Sequence, residues 1–284
     1  MRLAASIISL LPVVCALSLQ ASPPPPTPLE LDDEVVELAA TGSGRLPLAL
    51  LARRSVALVE RSGNGCTLAA HADLTPFIAA DARLSRRPVG TLEAIEGEDD
   101  ASALVLRIHA AALGLADPLE LRREGTGFTS VAAAGLAPGA ADRVAPHPPQ
   151  EVHGRTLRWL PDRGEAVSFH LDAENRLVAT LATGELLDSA GPVGELLVVV
   201  PAERGEARVL VSSPSLPGQP DRILEYRFRD RRLVAGRRSR EFMGRLTAVA
   251  RIEAGRDLVA IAVCDRPRHS QIHLVPEDDL WEAP

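Results

Sequence analysis

Residues 244–263 read GRLTAVARI, EAGR and DLVAIAV in succession, which is an apolar run, a charged turn and a second apolar run. The runs are rich in β-branched and other apolar residues, and a polar, glycine-containing turn between two such runs is typical of a β-hairpin. Because a single hairpin cannot bury its apolar face by itself, we expect this one to belong to a larger β structure.

Four further stretches of the chain repeat this pattern, each opened by a glycine. They start at Gly44, Gly90, Gly164 and Gly194. The copies at Gly194 and Gly244 continue into a third apolar run, at 222–228 and 270–275. The sequence therefore predicts an all-β fold, a β-propeller-like radial repeat of short antiparallel strands, with a β-sandwich or two small β domains as alternatives. The spacing of the glycines is irregular, and the alanine-rich residues 102–116 fit either a strand or a helix.

A family resemblance follows from two of the turns. The phrase Glu253-Ala-Gly-Arg-Asp-Leu-Val259 resembles the turn of the FG-GAP or VCBS repeats of integrin-like β-propellers, and 172–178 is similar. The resemblance covers residues 164–275 and implies a propeller. In that family, Asp and Asn oxygens of the turn often hold Ca²⁺, which prefers oxygen ligands. It makes Asp172, Glu174 and Asn175 the candidate Ca²⁺ ligands here, with a solvated turn as the alternative. No other cofactor is predicted.

Composition excludes several classes of function. The chain has 284 residues and a formal charge of −7, whereas nucleic-acid binding needs a basic surface. Only 3% of the residues are aromatic, which leaves few side chains for stacking on bases. All 31 basic residues are arginine, so a catalytic Schiff-base lysine and a P-loop lysine are excluded.

The N-terminal residues predict export. Residues 1–21 combine one arginine, an apolar run and a terminal small residue, the layout of a secretory signal peptide, so we expect a periplasmic or extracellular protein. A retained anchor, which would be the only contact with a membrane, is the alternative. The domain prediction is a signal peptide at 1–21, a proline-rich linker at 22–43 and a β-repeat domain at 44–284, with a possible internal boundary near 137–154.

Arginines concentrate in one hairpin of this acidic protein. Eight of them fall within residues 227–245, where Tyr226 and Phe228 alternate with arginines and so point to the opposite face of a strand. Guanidinium groups suit phosphate and carboxylate. The candidate anion- or partner-binding residues are Arg227, Arg229, Arg237 and Arg238. A protein, an acidic glycan or a lipid headgroup would be the partner. The alternative is a solvated hairpin whose arginines pair with acids such as Glu225, Asp230 and Glu241.

No catalytic residue is predicted. The chain has no Gly-x-Ser-x-Gly motif, and its histidines are scattered. His269 and His273 fall in a strand-like stretch, where four residues span about 13 Å, too far for one metal ion. The sequence favours an exported, non-catalytic binding or scaffold protein. An exported hydrolase with a degenerate motif is the alternative, and His170, His269 and His273 are the histidines whose substitution would test it.

Two cysteines lie outside the signal peptide, Cys66 near the first hairpin and Cys264 at the end of the last one. In a closed radial fold the first and last repeats are neighbours. A Cys66–Cys264 disulfide is therefore predicted for an oxidising compartment, with two buried free thiols as the alternative.

Overall fold

Each glycine-led hairpin predicted from the sequence is an antiparallel strand pair in the computed structural model. The structure describes residues 27–42, 48–62, 65–78, 90–96, 104–110, 115, 118–131, 156–161, 165–201, 206–216, 218–253 and 257–283. Within these ranges the strands form five antiparallel sheets of four strands each and one two-stranded ribbon. The predicted all-β, propeller-like fold is confirmed, since a sandwich would have only two sheets.

The strands follow one another along the chain almost sheet by sheet. Strand β1 is Leu29–Leu31. Sheet one consists of β2 (Val35–Ala40), β3 (Leu48–Ala52), β4 (Ser55–Ser62) and β5 (Gly65–Asp73). Sheet two consists of β6 (Thr91–Glu96), β7 (Leu104–His109), β8 (Leu119–Glu124) and β9 (Gly127–Val131). Sheet three consists of β10 (Leu157–Trp159), β11 (Val167–Leu171), β12 (Leu177–Leu181) and β13 (Leu186–Ala190).

The last two sheets follow the same plan. Sheet four consists of β14 (Leu197–Pro201), β15 (Ala207–Ser212), β17 (Ile223–Arg229) and β18 (Arg232–Arg238). Sheet five consists of β20 (Arg245–Glu253), β21 (Asp257–Arg266), β22 (His269–Pro276) and β1. The ribbon pairs β16 (Pro220–Asp221) with β19 (Phe242–Met243). A 3₁₀ turn (Thr75–Phe77) and a single helical turn, α1 (Glu277–Leu280), complete the described elements.

Strand β1 corrects the predicted domain boundary. It pairs with β22, Leu29 lying opposite Ile272, so the start of the described chain completes the last sheet. Strand β2 follows at once and buries its first four residues. The linker predicted at 22–43 is therefore wrong from Leu29 onward, because Val35 and Leu38 of β2 are buried in the core between sheets five and one, and the half-buried Leu29 and Leu31 of β1 pack against it. The predicted signal peptide (1–21) and the possible boundary at 137–154 lie outside the described residues.

Hydrophobic cores join neighbouring sheets in the order two, one, five, four, three. Each core takes buried residues from both of its sheets, such as Leu58 and Leu106, Leu50 and Ala260, Ile223 and Ile261, and Phe169 and Phe228. The period of two that builds them is clear in β11, where Val167, Phe169 and Leu171 are buried and Ser168 and His170 are half-buried. The first and last sheets are neighbours, as a radial fold requires.

The open choice for residues 102–116 is settled in part. Residues 104–109 form strand β7, which alternates buried and half-buried side chains over its first five residues. Cross-strand pairing with β6 and β8 overrides the helical propensity of the alanines that follow. In the described part of the chain, none of the helices has the length and apolar character needed to span a membrane.

Candidate binding surface on the fourth sheet

The arginine-rich hairpin consists of β17 and β18, joined by a two-residue turn at Asp230 and Arg231. Both turn residues have positive φ, 50° and 61°, while Arg229 pairs with Arg232 across the hairpin. Two left-handed residues in a two-residue loop match the twist of the strands, but asparagine and glycine are the usual occupants. An arginine in the left-handed region is strained.

The predicted alternation along β17 is confirmed. Phe228 is buried between sheets three and four, and Arg227 and Arg229 on the other side are exposed. Glu225 shares the side of these arginines and is only 1% exposed. The alternative reading of the sequence named Glu225 as an arginine partner, and the structure places it at the centre of a cluster.

Three guanidinium groups surround the Glu225 carboxylate; these four residues are the Glu225 cluster. Arg208 donates to Oε2 at 2.8 Å, Arg237 donates to Oε2 at 3.1 Å, and Arg227 donates to Oε1 at 3.2 Å. Burial works to raise the pKa of Glu225. The hydrogen bond from Arg237 and the charges of Arg208 and Arg237 outweigh burial and hold the pKa below its ordinary value.

A β-bulge makes room for this carboxylate. The register between β17 and β18 shifts at Glu225, so Gly236 and Arg237 lie opposite it. A Cβ on Gly236 would stand 2.9 Å from Oε1 of Glu225 and 3.2 Å from its carbonyl oxygen. Glycine therefore allows the close approach, and the bulge turns Arg237 toward the carboxylate.

The segment Glu277–Glu282 covers the far end of β18 and closes the cluster from outside. Its Trp281 ring lies 4.4 Å from the Arg237 guanidinium carbon, and Glu277 binds Arg208 at 2.9 Å. Glu282 donates its backbone N–H to the Arg238 carbonyl at 3.0 Å and accepts from the Arg238 side chain at 2.9 Å. An acidic segment of the chain, a helical turn followed by Trp281 and Glu282, thus pairs with the end of the arginine strand.

The four predicted partner-binding arginines therefore separate into two groups. Arg227 and Arg237 belong to the Glu225 cluster and Arg238 is paired with Glu282, so these three are tied to acids of the same molecule. Arg229 makes no ion pair with any residue that the structure describes, and it is exposed.

Arg229 lies on the rim of a groove of about 390 Å³ between sheets three and four. The floor of the groove is apolar and consists of Trp159, Pro161, Val167, Leu181, Leu187 and Phe228. Phe228 anchors this floor, with edge-to-face contacts to Trp159 at 6.1 Å and to Phe169 at 5.3 Å. Glu165, Arg229, Asp230 and Arg231 supply the charged rim.

In the candidate Ca²⁺ turn, the Asp172 carboxylate accepts hydrogen bonds from the backbone of the turn itself. Oδ1 of Asp172 accepts the backbone N–H groups of Glu174 at 3.0 Å and Arg176 at 2.7 Å, and Asn175 has a φ of 55°. These bonds make Asp172 the organiser of a tight turn. In the described part of the chain, no three His, Cys, Asp or Glu side chains lie close enough together to hold a metal ion.

The structure separates the candidate histidines. His170 lies on β11 of sheet three, whereas His269 and His273 lie on β22, the strand expected for them. Nδ1 of His269 is 2.5 Å from Oδ1 of Asp265. Burial lowers the pKa of His273, and the positive charge of Arg240 lowers it further.

Both cysteines are free thiols, so the predicted Cys66–Cys264 disulfide is wrong. The first and last sheets are neighbours as expected, but the two residues lie at opposite ends of them. Cys66 lies by the β4–β5 turn, at the end of sheet one where β2 finishes, whereas Cys264 lies beside the start of β20. Arg245 at that start binds Glu34, just before β2, at 2.5 Å.

Carboxylates at strand ends, of which Glu34 and Asp221 are buried, join the sheets, a role that sequence reasoning missed. Arg245 binds Glu195 at 3.2 Å as well as Glu34, and so links sheets four, five and one. Asp221 accepts from Ser213 and Arg222 through Oδ1 and from the Leu246 N–H of sheet five through Oδ2. An aspartate beside a turn is too common in sequences to signal this role.

Comparisons with known proteins found similar solved structures, a propeller among them, but did not assign the chain to a family. No family model and no curated protein matches the chain. The propeller of Dos1 is 13% identical over 81% of this chain and 53% of its own, with a TM-score of 0.26. BBS1N, solved in complex with ARL6DN, is 8% identical over 85% of this chain and 78% of its own, with a TM-score of 0.27. BamB from Moraxella catarrhalis is 10% identical over 79% of this chain and 68% of its own, with a TM-score of 0.22. The chain thus spans about half of the Dos1 propeller, and at these TM-scores the fold is assigned by the five sheets themselves.

Proposed function

We propose that the protein is an exported, non-catalytic binding or scaffold protein that holds an acidic protein partner on the arginine edge of sheet four. One observation carries this proposal. Strand β18 is the outermost strand of its sheet and exposes six of its seven residues. It places Arg232 beside Arg229 of β17, and neither arginine has an ion-pair partner among the described residues of this protein of net charge −7. Such a local excess of positive charge attracts acidic surfaces and orients them.

The segment Glu277–Glu282 supports an acidic protein partner over a glycan or a lipid. It shows how an acidic segment docks on this edge, with a backbone hydrogen bond and a charge-assisted side-chain bond to the same arginine, Arg238. In sheet four the stretch Val234–Gly236 is exposed and remains available to a second segment.

Export rests on the signal-peptide pattern of residues 1–21 and places the partner in the periplasm or outside the cell. Kinship with FG-GAP or VCBS repeats stays a prediction. The two turns that resemble the family occupy different positions, since 172–175 joins the second and third strands of its sheet and 254–256 joins the first and second of sheet five.

Site-specific photocrosslinking in the source cell tests the proposal. A benzoylphenylalanine at Val234, which is 38% exposed on β18, should give a discrete protein adduct. The same probe at Arg122, exposed on sheet two, should give none. The Arg229→Gln/Arg232→Gln variant should lose the adduct, because neither arginine has an ion-pair partner among the described residues.

Adducts that are equal at both positions, or that persist in the double variant, would contradict a role for the arginine edge. Turnover of ester, glycoside or phosphate substrates by the purified protein, abolished by substituting His170, His269 or His273, would show a hydrolase instead.

A further inference from the structure

The groove between sheets three and four combines an apolar floor with an exposed leucine beside it. Leu160 is 61% exposed and lies between the lining residues Trp159 and Pro161 along the chain. An isolated exposed leucine is ordinary, but the apolar lining of an open groove gains free energy when a ligand covers it.

The turn at the rim of the groove keeps a strained arginine. Asp230 and Arg231 are both left-handed, a conformation in which glycine would carry no strain at the second position. Arg231 binds Glu185 of sheet three at 2.6 Å, but both side chains are about 60% exposed, and such pairs contribute little to stability. Strain that the fold does not need is characteristic of functional positions.

The charges of the rim select the class of ligand. Arg229 and Arg231 offer guanidinium donors, while Glu165 and Asp230 on the same rim offer acceptors. A peptide satisfies both, since its carboxylates meet the arginines and its backbone N–H groups meet the acids. An anionic bilayer or a phosphate cluster would be repelled by Glu165 and Asp230.

We propose that this groove binds an extended peptide segment that places an apolar side chain on the Trp159–Phe228 floor and an adjacent Asp or Glu against Arg229 and Arg231. The proposal rests on the proposed function and names the motif that the partner carries. It assigns to Arg231 the contact that accounts for the strained turn.

The test selects ligands from a library of random linear peptides displayed on phage, using the full protein as bait. The selected peptides should share an apolar residue next to Asp or Glu, and their affinity is measured by fluorescence anisotropy. We expect Arg229→Gln and Arg231→Gly each to weaken binding about tenfold, the loss of one charged hydrogen bond.

Arg268→Gly is the matched control. Arg268 has a φ of 62° in the β21–β22 turn, so the substitution removes the same residue from the same backbone conformation, on sheet five. It should leave the affinity unchanged. Neither glycine variant should lower the urea midpoint of unfolding, so weaker binding would not reflect misfolding.

Three results would overturn the proposal: no enrichment of apolar–acidic peptides, equal losses of affinity in Arg231→Gly and Arg268→Gly, or binding to phosphatidylglycerol vesicles that the selected peptides do not displace. If the Val234 adduct still forms while the peptide selection fails, only the groove is refuted. If the peptides bind while no adduct forms, the proposed function is refuted and the groove stands.

Discussion

Glu225→Gln removes the negative charge at the centre of the Glu225 cluster while keeping the shape of the side chain. The amide has one acceptor in place of two carboxylate oxygens. If its NH₂ group takes the Oε2 position it faces the donors of Arg208 and Arg237, and at the Oε1 position it faces Arg227. In either orientation at least one donor meets a donor.

The exposure of the arginines sets the size of the effect. Removing one partner of a fully buried ion pair costs about 3–5 kcal/mol. Here only Arg208 is well shielded, with 17% of its side chain exposed, whereas Arg227 and Arg237 are 48% and 42% exposed and reach water. We therefore expect a loss of about 2–3 kcal/mol in the free energy of unfolding, or about 4–10 °C in Tm for a chain of this size.

Urea unfolding at pH 7 measures the loss, and Glu241→Gln is the control. Glu241 pairs with Arg222 at 2.7 Å but is 53% exposed, so its variant should lose less than about 1 kcal/mol. Equal midpoints for the two variants would refute a stabilising role for the cluster.

The pH dependence of the free energy of unfolding is a second measure of the Glu225 charge. Because the pKa of Glu225 is lower in the folded than in the unfolded state, its contribution is complete above the ordinary value of 4.5. The contribution is lost as the pH falls from there through the folded-state pKa. The difference between wild type and Glu225→Gln should therefore shrink below about pH 4.5.

The remaining predictions concern single sites. Arg231→Gly should raise the free energy of unfolding by about 0.5–1 kcal/mol, seen as a higher urea midpoint at constant slope, because relief of left-handed strain exceeds the loss of an exposed ion pair. Asp221→Asn should cost about 1–3 kcal/mol in the same assay, since the amide cannot accept every hydrogen bond that the carboxylate accepts. His273 has a folded-state pKa below its ordinary 6.5, so wild type should lose stability as the pH falls from about 6.5, and His273→Gln should lose less over that window. Thiol counting on unreduced, denatured protein should find Cys66 and Cys264 both reactive.

The hairpins could be predicted from the sequence because their signal is local. Alternating apolar residues and a polar turn lie within about twenty residues of one another, and a glycine marks the entry to each pair. At Gly244, with φ 130°, a Cβ would lie 2.7 Å from the Cys264 carbonyl oxygen, and at Gly194 it would lie 2.2 Å from Oγ of Ser212. These glycines are required because the entering strand presses against the next one.

The irregular spacing of the glycines has a topological cause. Gly90, Gly194 and Gly244 precede the first strand of their sheets, whereas the hairpins that begin at Gly44 and Gly164 are the second and third strands of theirs. The local signal identified hairpins correctly but did not reveal which pair of strands each one was. The count of five copies therefore matched the count of five described sheets even though the copies were not equivalent.

Long-range pairing explains what the sequence did not reveal. Strand β1 pairs with a strand about 240 residues away in the sequence. Because β1 has only three residues, it carries no periodic signal of its own. The adjacent polyproline stretch favoured a linker because consecutive prolines adopt an extended conformation that is typical of spacers. Likewise, the acids that pair with Arg245 and Arg238 come from other sheets, so the pattern of arginines showed a charged hairpin without showing which of its members were already paired.

Ties through acids and strand exchange concentrate in sheets four, five and one. Strand β1 leads from sheet five into sheet one, Arg245 binds acids beside sheets four and one, and Asp221 and Glu277 connect sheet four to sheet five. The end sheets are held by hydrogen bonds from Leu233 N–H to Asp188 Oδ2 at 2.8 Å and from His71 N–H to the Thr126 carbonyl at 3.3 Å. In a stack where each sheet shares a core only with its neighbours, stability is approximately a sum of such local terms.

Sheets two and three end this stack and differ from the other three. Sheet two turns Glu93, Arg107 and Glu120 away from its core, with Arg107 bound to Glu120 at 2.8 Å, and sheet three turns Arg158 and His170 away from its own. Among the described residues each of these sheets therefore contributes one face to a core, and these charged and polar side chains lie on its other face. The proposed groove lies where the strongly tied sheet four meets sheet three. Its rim can vary in sequence at little cost to the fold, while its Trp159–Phe228 floor is fixed by the core beneath, and this combination suits a surface that must recognise a partner.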